Sequence, residues 1–166
     1  MFDLRITTLP EATDLLRQGW PARTVSLLCP GTPGFACQGP HHLLLHLHDI
    51  TEELDGHVAP CRQHLLDVLD FTADLAPGAR LLTHCVAGVS RSTSMAIGIL
   101  IARGMPWREA WEVVAAVRPC MMPNARIIQL IDEHNGLGGE LTAHLQNWLA
   151  GRERCLLAAS GHPAPG

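Results

Sequence analysis

The chain contains no lysine and no tyrosine, so all twelve of its cationic side chains outside histidine are arginines. Formal net charge is −4 and the arginines form no cluster, which removes the electrostatic footprint that nucleic acid or an anionic membrane would need. No apolar run reaches the length of about 18 residues that would suggest a membrane span. The opening Met-Phe-Asp-Leu-Arg lacks a basic segment followed by an apolar one, so no secretory signal is expected and the chain reads as cytoplasmic. The six cysteines include no Cys-x-x-Cys pair, so neither a zinc site nor a disulfide framework is suggested and the thiols read as reduced. Nothing in the composition calls for a cofactor.

What remains is 166 residues of ordinary apolar content, enough to bury one core. Asp3 to Leu9 reads as a short strand, Glu11 to Gln18 as a short helix, and Thr24 to Cys29 as a buried strand. Pro30 to Pro40 is a loop rich in glycine and proline. From Leu43 the pattern alternates, with Leu43, Leu45 and Leu47 on one face and Leu44, His46 and His48 on the other, and Asp49 at the strand end. Residues 57–76 carry a helical stripe with Pro60 in the first turn. Further helices are expected at about 92–103, 106–118, 125–134 and 140–150, and Asn124 is placed to cap the fourth of these five. Trp107, Trp111, Val114 and Val117 read as packing residues. The organisation expected is one domain over 1–150, an α/β fold with a mostly parallel sheet of four or five strands flanked by helices, and a frayed tail over 151–166.

The most informative stretch is Ala79 to Met95. A short apolar strand leads through His84-Cys85-Val86-Ala87-Gly88-Val89-Ser90-Arg91-Ser92 into an apolar helix. A tight loop at a helix N-terminus points successive amides inward, where the helix dipole adds positive potential, and such a nest binds an anion. Cys85 in that setting is favoured as a thiolate. Arg91 brings a planar fork able to grip two phosphate oxygens, and Ser92 a hydroxyl able to bond the sulfur. Together they suit phosphoryl transfer through a cysteinyl-phosphate. Cys120 and Arg126 repeat the spacing, but that segment lacks an internal glycine, contains Pro123 and follows a helix, so it cannot form the same nest. A proton donor is also needed, and both Asp49 and Asp55 lie upstream on one loop from which a carboxylate could swing over the mouth.

The string His-Cys-x-x-Gly-x-x-Arg-Ser resembles the signature of the cysteine-dependent protein tyrosine phosphatases, and Gly88-Val89-Ser90-Arg91-Ser92 is most like the dual-specificity branch. Arg118-Pro119 followed by Pro123-Asn124 resembles a second element of that family, and the paired-histidine segment is similar to small bacterial members. The resemblance spans roughly residues 24–135. It implies a metal-independent phosphomonoester hydrolase with Cys85 as nucleophile and Arg91 as clamp. The amides of Val86, Ala87, Gly88, Val89, Ser90 and Arg91 form the phosphate cradle and Ser92 assists the thiolate. His84 and Asn124 act in support, and Asp49 is preferred to Asp55 as the acid. It also implies a phosphoprotein or phosphopeptide substrate. The uncharged loop interior, Val86, Ala87, Val89 and Ser90, disfavours inositol phospholipids. Cys29, ending the second strand, is a candidate disulfide partner for an oxidised Cys85.

Three other readings compete. A phosphate-binding module on the same fold needs no nucleophile and acid together. A rhodanese-like or arsenate-reductase-like thiol enzyme fits poorly with a loop of this length at mid-chain. Metal ligation by His41, His42, His46 and His48 lacks a carboxylate or cysteine partner at recognised spacing.

Overall fold

A computed structural model describes residues 1–32 and 40–159 of the chain, with side chains as far as Arg152. Four strands, β1 (Asp3–Thr7), β2 (Arg23–Leu28), β3 (His42–His46) and β4 (Arg80–His84), make one sheet in the order β1-β4-β2-β3, and every pairing is parallel. Around it lie α1 (Leu9–Arg17), α2 (Arg62–Thr72), α3 (Arg91–Ala102), α4 (Trp107–Val117), α5 (Ala125–Asn135) and α6 (Glu140–Ala159). This is the α/β architecture expected, with four strands.

The alternation of strand residues decides which side of the sheet holds the core. Val25, Leu27 and Leu47 are fully buried, and Leu43 and Leu45 pack against the same cluster. The opposite face is polar at its centre, where Ser26 and His84 sit beside each other in register. Helix α3 fills the core side. Every residue from Arg91 to Leu100 is buried, and the helix touches α2, α4, α5 and the strands β1, β2 and β4. A helix enclosed on all sides needs apolar residues all round, which accounts for the unbroken run Met95 to Ile101. At Gly98 a β-carbon would stand 3.1 Å from Ile131, so glycine lets α3 and α5 close on each other.

The structure departs from the sequence reading at several points, among them the end of β3 at His46, short of Asp49. Strand β1 stops at Thr7 because Thr8 and Glu11 form a capping box that starts α1 early. Helix α2 starts at Arg62, not near 57, since Pro60 disfavours helical backbone before it and the segment is bonded elsewhere. Val117 ends α4 exposed, whereas Trp111 and Val114 are buried as packing residues. Helix α6 continues to Ala159, past the end expected for it at 150. Gly151 costs a helix only about 1 kcal/mol against alanine, and the arginine, glutamate, leucine and alanine residues after it favour helix. Most of the loop expected at 30–40, and residues 160–166, lie outside the described residues.

The turn from α5 to α6 is held by Asp132. Although buried, it accepts from the amides of Gly139 (2.7 Å) and Thr142 (2.9 Å), capping α6 from a distance. Asp132→Ala is expected to cost about 2 kcal/mol, because it strips a cap and leaves two amides unbonded. A urea titration should show a lower midpoint at unchanged slope.

Candidate active site

Parallel strands bring their carboxyl ends to one edge of the sheet, and β4 lies inside it between β1 and β2. The residues that follow the strands therefore meet there: Thr8 after β1, Cys29 after β2, Leu47 to Asp49 after β3, and Cys85 after β4. From Cys85 the chain turns through a tight loop into α3.

The loop conformation follows from where its carbonyls go. Val86 O accepts from the Leu9 amide at 3.0 Å. Arg118 donates Nη2 to Ala87 O at 3.5 Å and Nε to Gly88 O at 3.1 Å. Val89 O accepts from the Met122 amide and from Thr93 Oγ1, both at 2.7 Å, and Ser90 O from the Ser94 amide at 3.0 Å. With every carbonyl from 86 to 90 engaged by a neighbouring element, the amides are left to turn toward the sulfur. Gly88 N donates to Cys85 Sγ at 3.2 Å. Gly88 has φ +69°, and a β-carbon there would lie 2.5 Å from the Thr7 carbonyl group and 2.7 Å from the Thr8 nitrogen. The end of β1 is the seat on which the loop rests.

Cys85 is only 1% exposed, and its Sγ lies 3.3 Å from Ser92 Oγ. Burial pushes the thiol pKa up. The Ser92 hydroxyl and amide, the Arg91 charge and the Ser90 amide together outweigh it, so the thiol ionises below its usual range. Arg91 is 3% exposed and donates Nη1 to Leu47 O at 2.7 Å and to Cys29 Sγ at 3.4 Å. Its Nε is buried and has no hydrogen-bond partner among the described residues. A buried guanidinium edge without an acceptor is a place for an anion.

Asp49 closes the site from the other side. Its Oδ1 accepts from Ser90 Oγ at 2.7 Å and from Asn124 Nδ2 at 2.8 Å, while Oδ2 stands 3.9 Å from Arg91 Nε. Asn124 is a four-way joint. Its Oδ1 caps α5 through Ile127 N (3.1 Å), its amide donates to Ser94 Oγ (2.8 Å), and Nδ2 also reaches Ile50 O (3.3 Å). The loop after Asp49 is pinned further along by Arg126, whose Nε donates to Pro60 O (2.6 Å) and whose Nη2 pairs with Glu53 (2.9 Å). At its base the His48 amide donates to Val58 O (2.7 Å), and the Val58 amide returns a bond to His48 Nδ1 (2.9 Å). The carboxylate is thus already at the mouth, on a loop fastened at three points.

The structure brings together Cys85, Arg91, Ser90, Ser92, Asp49 and Asn124, with Cys29 against the guanidinium. Asp55 stands apart, lining an outer cavity of about 370 Å³ with His57 and Arg126. Among the described residues no group of three histidine, cysteine or acidic side chains is arranged to hold a metal ion. His46 is exposed, and His42 bonds Ser26. Sequence reasoning missed two residues. Arg118, seen there only as part of a motif, holds the loop carbonyls and pairs with Glu11 at 3.6 Å. Arg126, set aside as the end of a chance spacing, holds the Asp49 loop. Neither role has a local signal, since both depend on segments at least 30 residues away.

The family model for the dual specificity phosphatase catalytic domain matches residues 38–135. The chain belongs to this family. Mouse dual specificity protein phosphatase 15 is 33% identical over 76 residues, which is 45% of this chain and 32% of that protein. Zebrafish dual specificity protein phosphatase 22-B is 36% identical over 73 residues, 43% of this chain and 38% of that one. The chain therefore spans about a third of the length of the curated relatives it matches. The crystal structure of DUSP15 has the same fold, with a TM-score of 0.60 at 24% identity over 87% of this chain and 90% of that one.

Two measurements probe this phosphatase-family site directly. Gly88→Ala should weaken orthovanadate binding by more than about tenfold with an unchanged circular dichroism spectrum, because the loop escapes the clash with Thr7 by leaving its cradle shape, and φ +69° by itself costs an L-residue about 1–2 kcal/mol. Alkylation of Cys85 by iodoacetate should titrate below the free-thiol value of about 8.5, and Ser92→Ala should move the titration upward.

Proposed function

We propose that the chain is a metal-independent phosphomonoester hydrolase, a protein tyrosine or dual-specificity phosphatase that works through a cysteinyl-phosphate. In the first step the Cys85 thiolate attacks phosphorus. The bond from phosphorus to the ester oxygen breaks, and the departing oxygen takes a proton from Asp49. In the second step water attacks the phosphocysteine, Asp49 takes its proton, and phosphate leaves with the thiolate restored. Arg91 Nε and the amides of residues 86–91 hold the three phosphoryl oxygens in both steps.

The observation that carries this reading is the clamped carboxylate. A pure phosphate binder gains nothing from an acid fixed opposite a thiol of lowered pKa, because a carboxylate repels the ligand. A hydrolase needs it. Both donors act on Oδ1, which leaves Oδ2, on the side of Arg91 Nε, to carry the transferred proton.

Phosphoprotein is favoured over polyphosphorylated small molecules. Val86 is exposed on the loop, and Met122, Val58 and Leu54 are exposed on the segments beside it. The arginines touching those segments, Arg118 and Arg126, are spent on carbonyls and on Glu11 and Glu53. Cys29 is proposed as a redox partner on the strength of its contact with the guanidinium that serves Cys85. Peptide mapping after mild peroxide either recovers a Cys29–Cys85 disulfide or removes Cys29 from the reading.

The test is turnover of para-nitrophenyl phosphate with EDTA present. Wild type should be active and Cys85→Ser inactive, and undiminished turnover by the variant would sink the mechanism. Asp49→Asn should slow phenyl phosphate by about 10²–10⁴-fold while sparing substrates whose leaving groups need no protonation. Equal slowing of both would move the acid elsewhere.

A further inference from the structure

The strand residue before the cysteine is tied to a polar chain that crosses the sheet. His84 is fully buried, and its Nδ1 lies 3.3 Å from Cys85 O. Ser26, its register neighbour on β2, places Oγ 2.5 Å from His84 Nε2 and 2.7 Å from Nε2 of His42 on β3. Ser26 pairs with Leu44, and His42 lies two residues before Leu44, so all three polar side chains share the sheet face opposite the apolar core.

Hydrogen bookkeeping fixes the direction of this chain. A carbonyl only accepts, so His84 Nδ1 carries a hydrogen. Burial first, and His42 in addition, hold the His84 pKa down at about 4 against the opposing pull of the Cys85 carbonyl, so the ring is neutral at pH 7. A neutral ring with hydrogen on Nδ1 has a bare Nε2, which accepts from the Ser26 hydroxyl. Ser26 has one hydrogen to give, so its lone pair receives the hydrogen of His42 Nε2. Donation runs from His42 to Ser26 to His84 to Cys85 O. The reverse order would set a bare Nδ1 against the carbonyl lone pairs in a dry site, where neither has water to turn to.

We infer that Ser26 and His42 are positioning residues for the cysteine loop, acting by holding the His84 ring where its Nδ1–H draws the Cys85 carbonyl out of the anion cradle. The neighbouring carbonyls from Val86 to Ser90 are each engaged from outside the loop, and this chain does the same for the first of the series. Its meaning for catalysis rests on Cys85 being the nucleophile; its physical content does not.

The experiment therefore reads the resting protein. Nitrogen-15 NMR of the histidine rings at pH 7 should show His84 as the Nδ1–H tautomer in wild type and in Ser26→Thr, which keeps the hydroxyl. In Ser26→Ala the bare His84 Nε2 loses its donor, so its resonance should move to that of an unbonded ring nitrogen, and the iodoacetate alkylation rate of Cys85 at pH 6 should fall by about threefold to tenfold, the worth of one hydrogen bond. His42→Phe, at a half-buried edge position that tolerates an aromatic ring, should move both readouts the same way. A Ser26→Ala protein with an unchanged Nε2 resonance and alkylation rate overturns the inference. A His42→Phe protein identical to wild type removes His42 from it. Loss of phosphatase activity in the wild type would overturn the functional proposal alone, since neither readout involves turnover.

Discussion

The site depends on one constraint: the carbonyl oxygens of the loop after Cys85 must be satisfied by something other than an anion. Peptide dipoles are indifferent to direction until one end is occupied. Leu9, Arg118, Met122 and the first turn of α3 occupy the oxygen ends. The nitrogen ends are then left converging on the sulfur, a buried guanidinium completes the ring of donors, and the thiol loses its proton more readily than burial alone would permit. Potential at this site comes from oriented neutral groups and one arginine, which explains how a chain of net charge −4 without lysine holds an anion pocket at all.

The second wall is built by α5. Asn124 and Arg126, two residues apart at its start, reach the near and far parts of the segment that follows β3. Asn124 also bonds Ser94 of α3, so the helix that carries Arg91 and the helix that fixes Asp49 share a joint. Asp49 and Cys85 are thus placed relative to each other through contacts of side chain and backbone. Such a site holds its geometry before substrate arrives, and the cost of ordering the loop has already been met in folding.

Much of this was legible in the residues. The strand, the glycine and the apolar helix around Cys85 located the cradle, and the alternation of Leu43, Leu45 and Leu47 located the core face. Asn124 could be read as a cap from its place before a helical stripe. The different placement of Asp49 and Asp55 was not legible from spacing, because the bonds that bring Asp49 to Ser90 and Asn124 are long-range. The parts missed were long-range. The helical stripe begun at 57 failed because local periodicity carries no information about Arg126 holding Pro60. A carboxylate able to swing over the mouth was expected where the structure has Asp49 fastened, for the same reason. The stop set at 150 overweighted one glycine. The chain of histidines and Ser26 was invisible because parallel register between strands 16 and 58 residues apart is a tertiary fact.

The seat of Gly88 on Thr7 and Thr8 carries one more consequence. The family match begins at residue 38, yet β1, α1 and β2 precede it, and with them the backbone that receives Gly88 and the amide that holds Val86 O. A fragment trimmed to the matching region would keep Cys85, Arg91, Ser92, Asp49 and Asn124 and would still lack the floor beneath its loop. Two of the four strands would be missing, and the strand leading to Cys85 would be left with both edges bare. The recognisable signature is therefore shorter than the stretch of chain that seats the loop, and what the loop itself would lose lies on its N-terminal side.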